Sequence, residues 1–526
     1  MAIDLKSLPN DLDELKRLIA DQEKKHFSEI EKLQKENERL ERKTETLSDE
    51  LELLRHKIFG RRSEKLTDEE RLQMRLFDEA EQGSGEEIPA ETVDVSPHRR
   101  SKRGRRPLPA NLPREEIVHD IPEEEKVCGC GAPLVRIGEE TSEQLEFVPA
   151  KIRVIRHVRP KYACKVCKGS GGKDGEKAVK IAPPPAQIIP KSMATPSLLA
   201  YILVSKFCDA LPFYRQEKMF RRIGIDIPRS TMCRWAVEAG RRCEPLIELM
   251  HRQVRAGPLI QMDETPVQVM NEPGRPNTSK SYLWVIRGGP PEHPVLLYQY
   301  HPTRSAKVPI TYLEGYQGYL QTDGYGGYDD AGSQPGIVHA GCWAHVRRKF
   351  TDAQRPTKKA GSAEEALSRI AKLYEIEKRL RALGLAEEQF VARRRSEAEP
   401  ILEGFHSWLS NKSQHVPPST LIGKAVGYAL SQWKKLLRYL DKAFLTPDTN
   451  LIENTIRPFV LGRKNWLFSG NPQGVYASAA LYSLIETAKA NGLEPYRYLR
   501  SIFEKLPHAS TEDAFRDLLP QNISKK

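Results

Sequence analysis

The sequence predicts a multidomain α+β protein. Three observations carry that expectation: a leucine heptad near the N-terminus, two close cysteine pairs ahead of a helix–turn–helix pattern, and a later run of strands bearing aspartates. At 526 residues the chain is longer than one hydrophobic core fills, so several domains are expected. The formal charge is +12 and the pI near 9.1, which favours a polyanionic partner, nucleic acid first. The longest apolar stretch, LLAYILV from Leu198 to Val204, is too short to span a bilayer, so no membrane role is expected. The opening MAIDLKSLPNDLDELKR lacks the apolar region of a secretory signal, and a cytoplasmic location follows. Eight cysteines in so long a chain argue against a disulfide scaffold and leave metal binding open for the paired ones.

The first element, residues 1–60, reads as a coiled coil. Leu33, Leu40, Leu47 and Leu54 recur at heptad spacing, and Ile30, Asn37, Thr44, Leu51 and Ile58 take the companion positions. Leucine at one core position and a single asparagine at the other is the pattern of a parallel dimer, so a homodimer or larger assembly is expected. Residues 61–114 follow as a flexible basic linker. Within it SPHRRSKRGRRPLP places Arg103, Arg105 and Arg106 around Gly104. That string resembles a hook for the DNA minor groove, and it equally resembles a solvated basic patch. Either would bind DNA in a salt-dependent way.

Residues 115–180 form the next block. VCGCGAPL carries Cys128 and Cys130, KYACKVCKG carries Cys164 and Cys167, and alternation in QLEFVPAKIRVIRHVRPKYA between them suggests two strands. Two thiolate pairs flanking a hairpin suit tetrahedral zinc in a structural role, since four thiolates leave no open coordination position. Residues 181–256 read as a helical domain. LPFYRQEKMFRRIGIDIPRSTMCRWAVEAGRR gives helix, a turn at Gly224, and a second helix capped by Ser230 or Thr231. Arg229 and Arg234 near its start make that helix a candidate reader of DNA.

From residue 257 to 480 the texture changes. PLIQMD predicts a strand ending at Asp263, SYLWVIRGG and HPVLLYQY two more, and SAKVPITYLEGY a helix. GYLQTDGYGGY then gives a strand ending at Asp323, and GIVHAGC another, leading into the helix WAHVRRKFTDA. This order is that of a ribonuclease-H-like α/β core with both aspartates at strand ends. The neighbour Glu264 is expected to point away from Asp263, because side chains alternate along a strand. Clustered carboxylates suit magnesium, and a third acid would complete such a site. The candidate is Glu453 in TPDTNLIENTIRPFVLGRKNWLFSG. Its alternative reading is a capping box, with Asn450 as the cap and Glu453 reaching back. Helical periodicity in EEALSRIAKLYEIEKRLRAL marks an insertion over about 355–445, and residues 481–526 read as a C-terminal helical element.

The strings QMDETPVQV, YLQTDGYGGY, CWAHVRRKF, TNLIENTIRPFVLGRKNWLFSG and ALYSLIETAKANGLEPYRYL together resemble the insertion-sequence-66 family of bacterial DDE transposases. The resemblance implies that Asp263, Asp323 and Glu453 are a catalytic acidic triad holding two magnesium ions, with manganese as a substitute. It implies cleavage of DNA at the terminal repeats of the element and joining of the freed 3′ hydroxyls to target DNA. Arg457, Arg463 and Lys464 become candidate DNA contacts, and Cys342 with His345 matches a C-x-x-H signature of structural or DNA-positioning use. Accessory proteins encoded by the same element, and association with the nucleoid, are also implied. Two rival readings stay open: a non-catalytic regulator using only the zinc module and the helix–turn–helix, and a nuclease of the same core that cuts without joining.

Overall fold

The computed structural model describes residues 16, 21–34, 36–37, 92–95, 98–101, 152–163, 179–354 and 361–523. The chain divides into two compact units, Gly85–Pro185 and the combination of Met1–Ser84 with Ala186–Lys526. In the first, two short antiparallel pairs are present: Thr92–Val95 with His98–Ser101, and Lys161–Ala163 with Val179–Ile181. The former is a hairpin where a flexible linker was expected. Residues 152–160 take part in no strand or helix, so of the two strands expected there, only Lys161–Ala163 forms among the described residues. Cys128, Cys130, Cys164, Cys167, Arg103, Arg105 and Arg106 lie outside the described residues. So do Leu40, Leu47 and Leu54 of the heptad. The part of that segment that is described, residues 21–34, is helical, with Phe27, Ile30 and Leu33 exposed.

From Ala186 onward the second unit opens with four helices. Thr195 caps α1 (Pro196–Phe207) by accepting the Leu198 N–H, and Pro196 sits where its missing N–H costs nothing. Helix α2 (Phe213–Arg222) runs into a turn at Gly224, whose φ of +79° suits a residue without Cβ. Helix α3 (Arg229–Arg242) follows with Pro228 as its N-cap and no side-chain cap. Neither Ser230 nor Thr231 caps it, because the fixed φ of Pro228 starts the helix two to three residues earlier. Helix α4 is Glu244–Ala256.

A five-stranded sheet comes next: β1 (Leu259–Gln268), β2 (Lys280–Gly288), β3 (Val295–His301), β4 (Gly318–Gln321) and β5 (Ile337–Ala340). Its spatial order is β3-β2-β1-β4-β5. Strands β1, β2 and β3 are antiparallel neighbours, whereas β4 is parallel to β1 and β5 to β4. The crossover from β3 to β4 contains α5 (Lys307–Tyr312), and β5 leads into α6 (Trp343–Gln354). Leu283, Trp284, Val285 and Ile286 are all buried, the continuous apolar run of a strand covered on both faces.

Three helices then form the insertion: α7 (Ser362–Ala382), α8 (Glu387–His415) and α9 (Leu421–Leu436). They share a second core with Trp343, Val346 and Phe350 of α6. Helix α10 (Asn450–Trp466) returns to the sheet and packs on β1 and β2, and α11 (Pro472–Ala490) lies along β3. The outer edge of β3 is closed by that helix: the Leu296 N–H donates to Thr487 Oγ1 at 2.9 Å and the Tyr298 N–H to Ser483 Oγ at 2.8 Å. Side-chain hydroxyls thus take the place of a further strand and leave this edge unable to pair with another chain.

Candidate active site

The parallel register of β1 and β4 creates the site. Gln261 is paired with Gln321, and the Gln261 amide donates to Gln321 Oε1 at 2.8 Å. Two residues beyond each glutamine stand Asp263 and Asp323. Adjacent strands run about 4.8 Å apart, so the register delivers the two carboxylates to neighbouring positions. Strand β4 stops at Gln321, while β1 continues to Gln268 against β2. Asp263 is therefore mid-strand rather than terminal, and it sits at the step where its parallel neighbour ends.

Like charges crowd this step. The Asp263 carboxyl is pushed well above the usual carboxylate range, first by burial and then by the charges of Glu264, Asp323 and Glu453. Burial also raises Asp323, against which the Tyr325 N–H, at 3.0 Å, and the charges of Arg304, Arg348 and Lys435 act. Glu264 takes partners of its own, yet its charge acts on Asp263 and that of Asp323 acts on Glu264 in turn, so it stays within the acid cluster and is not turned away from it. Its side chain is 1% exposed, pairs with Arg304 and accepts the Tyr328 hydroxyl. The Arg304 guanidinium stacks over the Tyr325 ring at 3.8 Å, and the Tyr325 hydroxyl donates back to the Arg304 carbonyl at 3.1 Å.

The third acid arrives on α10. Glu453 lies in its first turn, where a negative charge complements the helix dipole. The capping-box reading does not hold: the N-cap is Thr449, and Asn450 donates from both its backbone and its side chain to Asp448 at 3.1 Å. Glu453 is instead buried with its carboxylate 3.8 Å from His345 Nε2 and 3.9 Å from an Arg348 nitrogen. Both of those residues lie on α6 at i and i+3, one helix face.

Cys342 holds the entry to α10. Its thiol accepts the Thr449 N–H at 3.3 Å and the Thr449 hydroxyl at 3.2 Å. Burial, then Glu453 and Asp448, push that thiol up to about 12. His345 is pushed down to about 3 by burial and by Arg348 and Lys349, so its ring is neutral near pH 7. The C-x-x-H pair thus lies against the helix that carries Glu453, consistent with a structural role.

Among the described residues, no three His, Cys, Asp or Glu side chains stand close enough together to hold a metal ion. Asp323 and Glu453 are both near enough for their charges to raise the Asp263 carboxyl, while Glu453 leans toward α6. The donor chemistry fits a hard divalent cation: every candidate ligand is a carboxylate, and Asp263 bears mutual repulsion that a cation would relieve.

On the nucleic-acid side, Arg229 and Arg234 are exposed on α3. The opposite face of that helix is buried, and Gly240 approaches Ala477 of α11 so closely that a Cβ would stand 2.8 Å from it. Arg457 and Lys464 are half-buried on α10. Arg463, expected to contact DNA, is turned inward: it is 8% exposed and donates to Thr265 Oγ1 at 3.3 Å and to the Pro266 carbonyl. By donating to a hydroxyl and a carbonyl of β1, the Arg463 guanidinium ties the helix to the strand. Sequence reasoning missed Arg304 and Arg348. The spacing of His345 and Arg348 in CWAHVRRKF was the available signal for the second; nothing local singles out Arg304.

Comparison with known proteins identifies the family. The model described as Transposase IS66 family matches residues 191–477. The chain belongs to this transposase family. Three further models of IS66 transposases match in chain order: Transposase C of IS166 homeodomain over residues 46–117, the zinc-finger binding domain over 125–168, and the IS66 C-terminal element over 483–521. The zinc-finger match spans all four paired cysteines. Two uncharacterized proteins of Sinorhizobium fredii resemble this IS66-family chain along its length. One, y4jD, is 34% identical over 94% of this chain and 97% of its own; y4qI is 30% identical over 99% of each. No helix among the described residues is long and apolar enough to cross a membrane.

Proposed function

We propose that this chain is a DDE transposase that cleaves DNA at the ends of its own element and joins the freed 3′ hydroxyls to target DNA on a ribonuclease-H-like core. The observation that supports the reading is the β1–β4 register, which ends two residues short of Asp263 and of Asp323, together with the charges of Asp323 and Glu453 that raise the Asp263 carboxyl. The strand order, with three antiparallel strands and two parallel additions, supports the assignment of the core.

Asp263 and Asp323 are the residues to hold the catalytic magnesium or manganese, and Glu453 completes the set from α10. Bound there, the divalent ions supply Lewis-acid charge at the phosphate and acidify the attacking hydroxyl. Arg304 and Arg348 offset the Asp323 charge, and neutral His345 flanks Glu453 without competing for a proton. Arg229 and Arg234 on α3, with Arg457 and Lys464 on α10, are the positions for DNA contact. The four paired cysteines hold structural zinc, the N-terminal heptads make a homodimer or larger assembly, and element-encoded accessory proteins join it on DNA.

The test is strand transfer on a labelled terminal-repeat duplex with magnesium. Asp263→Ala, Asp323→Ala and Glu453→Ala should each lower the joined product by more than the roughly 10–100-fold that outer-shell partners cost. Full activity in any of the three sinks the triad. Salt-sensitive binding without metal-dependent cleavage would leave a regulator, and cleavage without joined product a nuclease.

A further inference from the structure

The turn that ends α10 has an unusual backbone. Leu467 sits at φ +67° and ψ −52°, and the Phe468 N–H donates to the Trp466 carbonyl at 2.9 Å. This is a γ-turn of the rare positive-φ kind, strained for a side chain as bulky as leucine. Such strain persists only where the surroundings hold it, and it gathers at functional positions. Here both flanks are fastened. Before the turn, Trp466 faces inward and its ring meets Phe459 edge-on at 5.3 Å. After it, the Ser469 N–H donates to the Gln268 carbonyl at 2.9 Å, and the Met270 N–H returns to the Ser469 carbonyl at 2.9 Å.

The turn presents its apolar side chains outward. Leu467 is 65% exposed and Phe468 46%. Single exposed apolar residues are ordinary, but two adjacent ones on a strained, doubly fastened turn call for an explanation. Their neighbourhood is basic and reaches the helix–turn–helix: exposed Arg215 of α2 donates to Asn465 at 3.4 Å, just ahead of the turn. The turn is also tied to the strand that carries the first aspartate. From Asp263 to Gln268 the strand covers about 17 Å, or about five nucleotide steps at 3.4 Å each.

We propose that Leu467 and Phe468 form a rigid apolar wedge that stacks against an unpaired base of the DNA end, a few nucleotides from the phosphate held at Asp263. The proposal rests on the transposase reading above. A flexible loop would lose conformational entropy on inserting these side chains; a turn already fixed by β1 and Trp466 avoids that loss. Arg215 supplies the phosphate attraction that an apolar wedge lacks, and aromatic–base stacking tolerates any base.

The experiment uses the full-length protein in EDTA and two probes of mixed sequence: a blunt duplex and the same duplex with an unpaired end. Wild type should bind the unpaired end more tightly. Phe468→Ala combined with Leu467→Gly, in which glycine accepts the positive φ, should weaken binding to the unpaired end by about tenfold. Binding to the blunt duplex should change less than about twofold, and Phe468→Tyr should restore the preference because it keeps a ring. Equal loss on both probes, no loss on either, or failure of Phe468→Tyr to rescue would overturn the wedge. So would a fall in oligomer mass of the double variant by light scattering with DNA binding intact, since the turn would then be a contact between copies of the chain. A wild-type protein that binds neither probe would overturn the transposase reading itself, which separates the two failures.

Discussion

At the scale of single residues, the acid cluster is a place where folding works against ionisation. Asp263 has its carboxyl raised on folding, so the protonated form is the one the fold favours. That contribution is fully present below the unfolded carboxyl range and is lost as the pH rises through the folded value. Asp263→Asn removes the charge with little change of shape. In EDTA at pH 8 it should raise the melting temperature by about 2–4 °C, the shift that about 1 kcal/mol produces in a large domain, and the gain should vanish near pH 3. The same variant should fail in strand transfer. A lower melting temperature than wild type at pH 8 would show that the carboxylate is stabilising, contrary to the crowding described. The identities of Asp263, Asp323 and Glu453 were legible in the sequence through family motifs. The partners of their neighbours were not: Arg304 reaches Glu264 across a separation of 40 residues, a pairing that only the sheet creates.

Among the elements, the helical insertion is the one whose internal polar chemistry is most exacting. Arg394 of α8 is fully buried; it pairs with Glu377 of α7 at 2.7 Å and donates to the carbonyls of Lys442 at 2.9 Å and Leu445 at 3.1 Å. One guanidinium thus binds two helices to the segment that leads into α10. Arg394→Ala should cost about 3 kcal/mol, because it leaves a buried carboxylate and buried carbonyls short of donors. Urea unfolding of the full chain measures this, and a loss under about 1 kcal/mol would show that the network is replaceable. The helical periodicity of this insertion could be read directly, as could the helix–turn–helix break at Gly224. Element ends were less legible. Strand β1 outruns the expected end at Asp263 because β2 continues to pair with it, and Thr449 displaces Asn450 as the cap of α10 because Asp448 claims the asparagine.

For the whole molecule, the excess of positive charge sets the response to salt. With a net +12 and basic side chains on α2 and α3, binding to a mixed duplex should weaken by about a thousandfold or more between 50 and 200 mM salt, as for about six phosphate contacts. Fluorescence anisotropy across that range decides it; a change under about tenfold would mean that few phosphates are neutralised. The sequence alone determined the family, the order of the core strands along the chain, the two aspartates that sit on β1 and just after β4, and the basic character of the chain. Those properties follow from local periodicity, composition and contiguous motifs. The tertiary structure alone decided that Glu264 belongs to Arg304, that Arg463 serves β1, that His345 and Arg348 face Glu453, and that Leu467 is forced into a strained turn. Each of these depends on the register of strands and the packing of helices distant in the chain, and a side chain's partner is set by that geometry rather than by its neighbours in sequence.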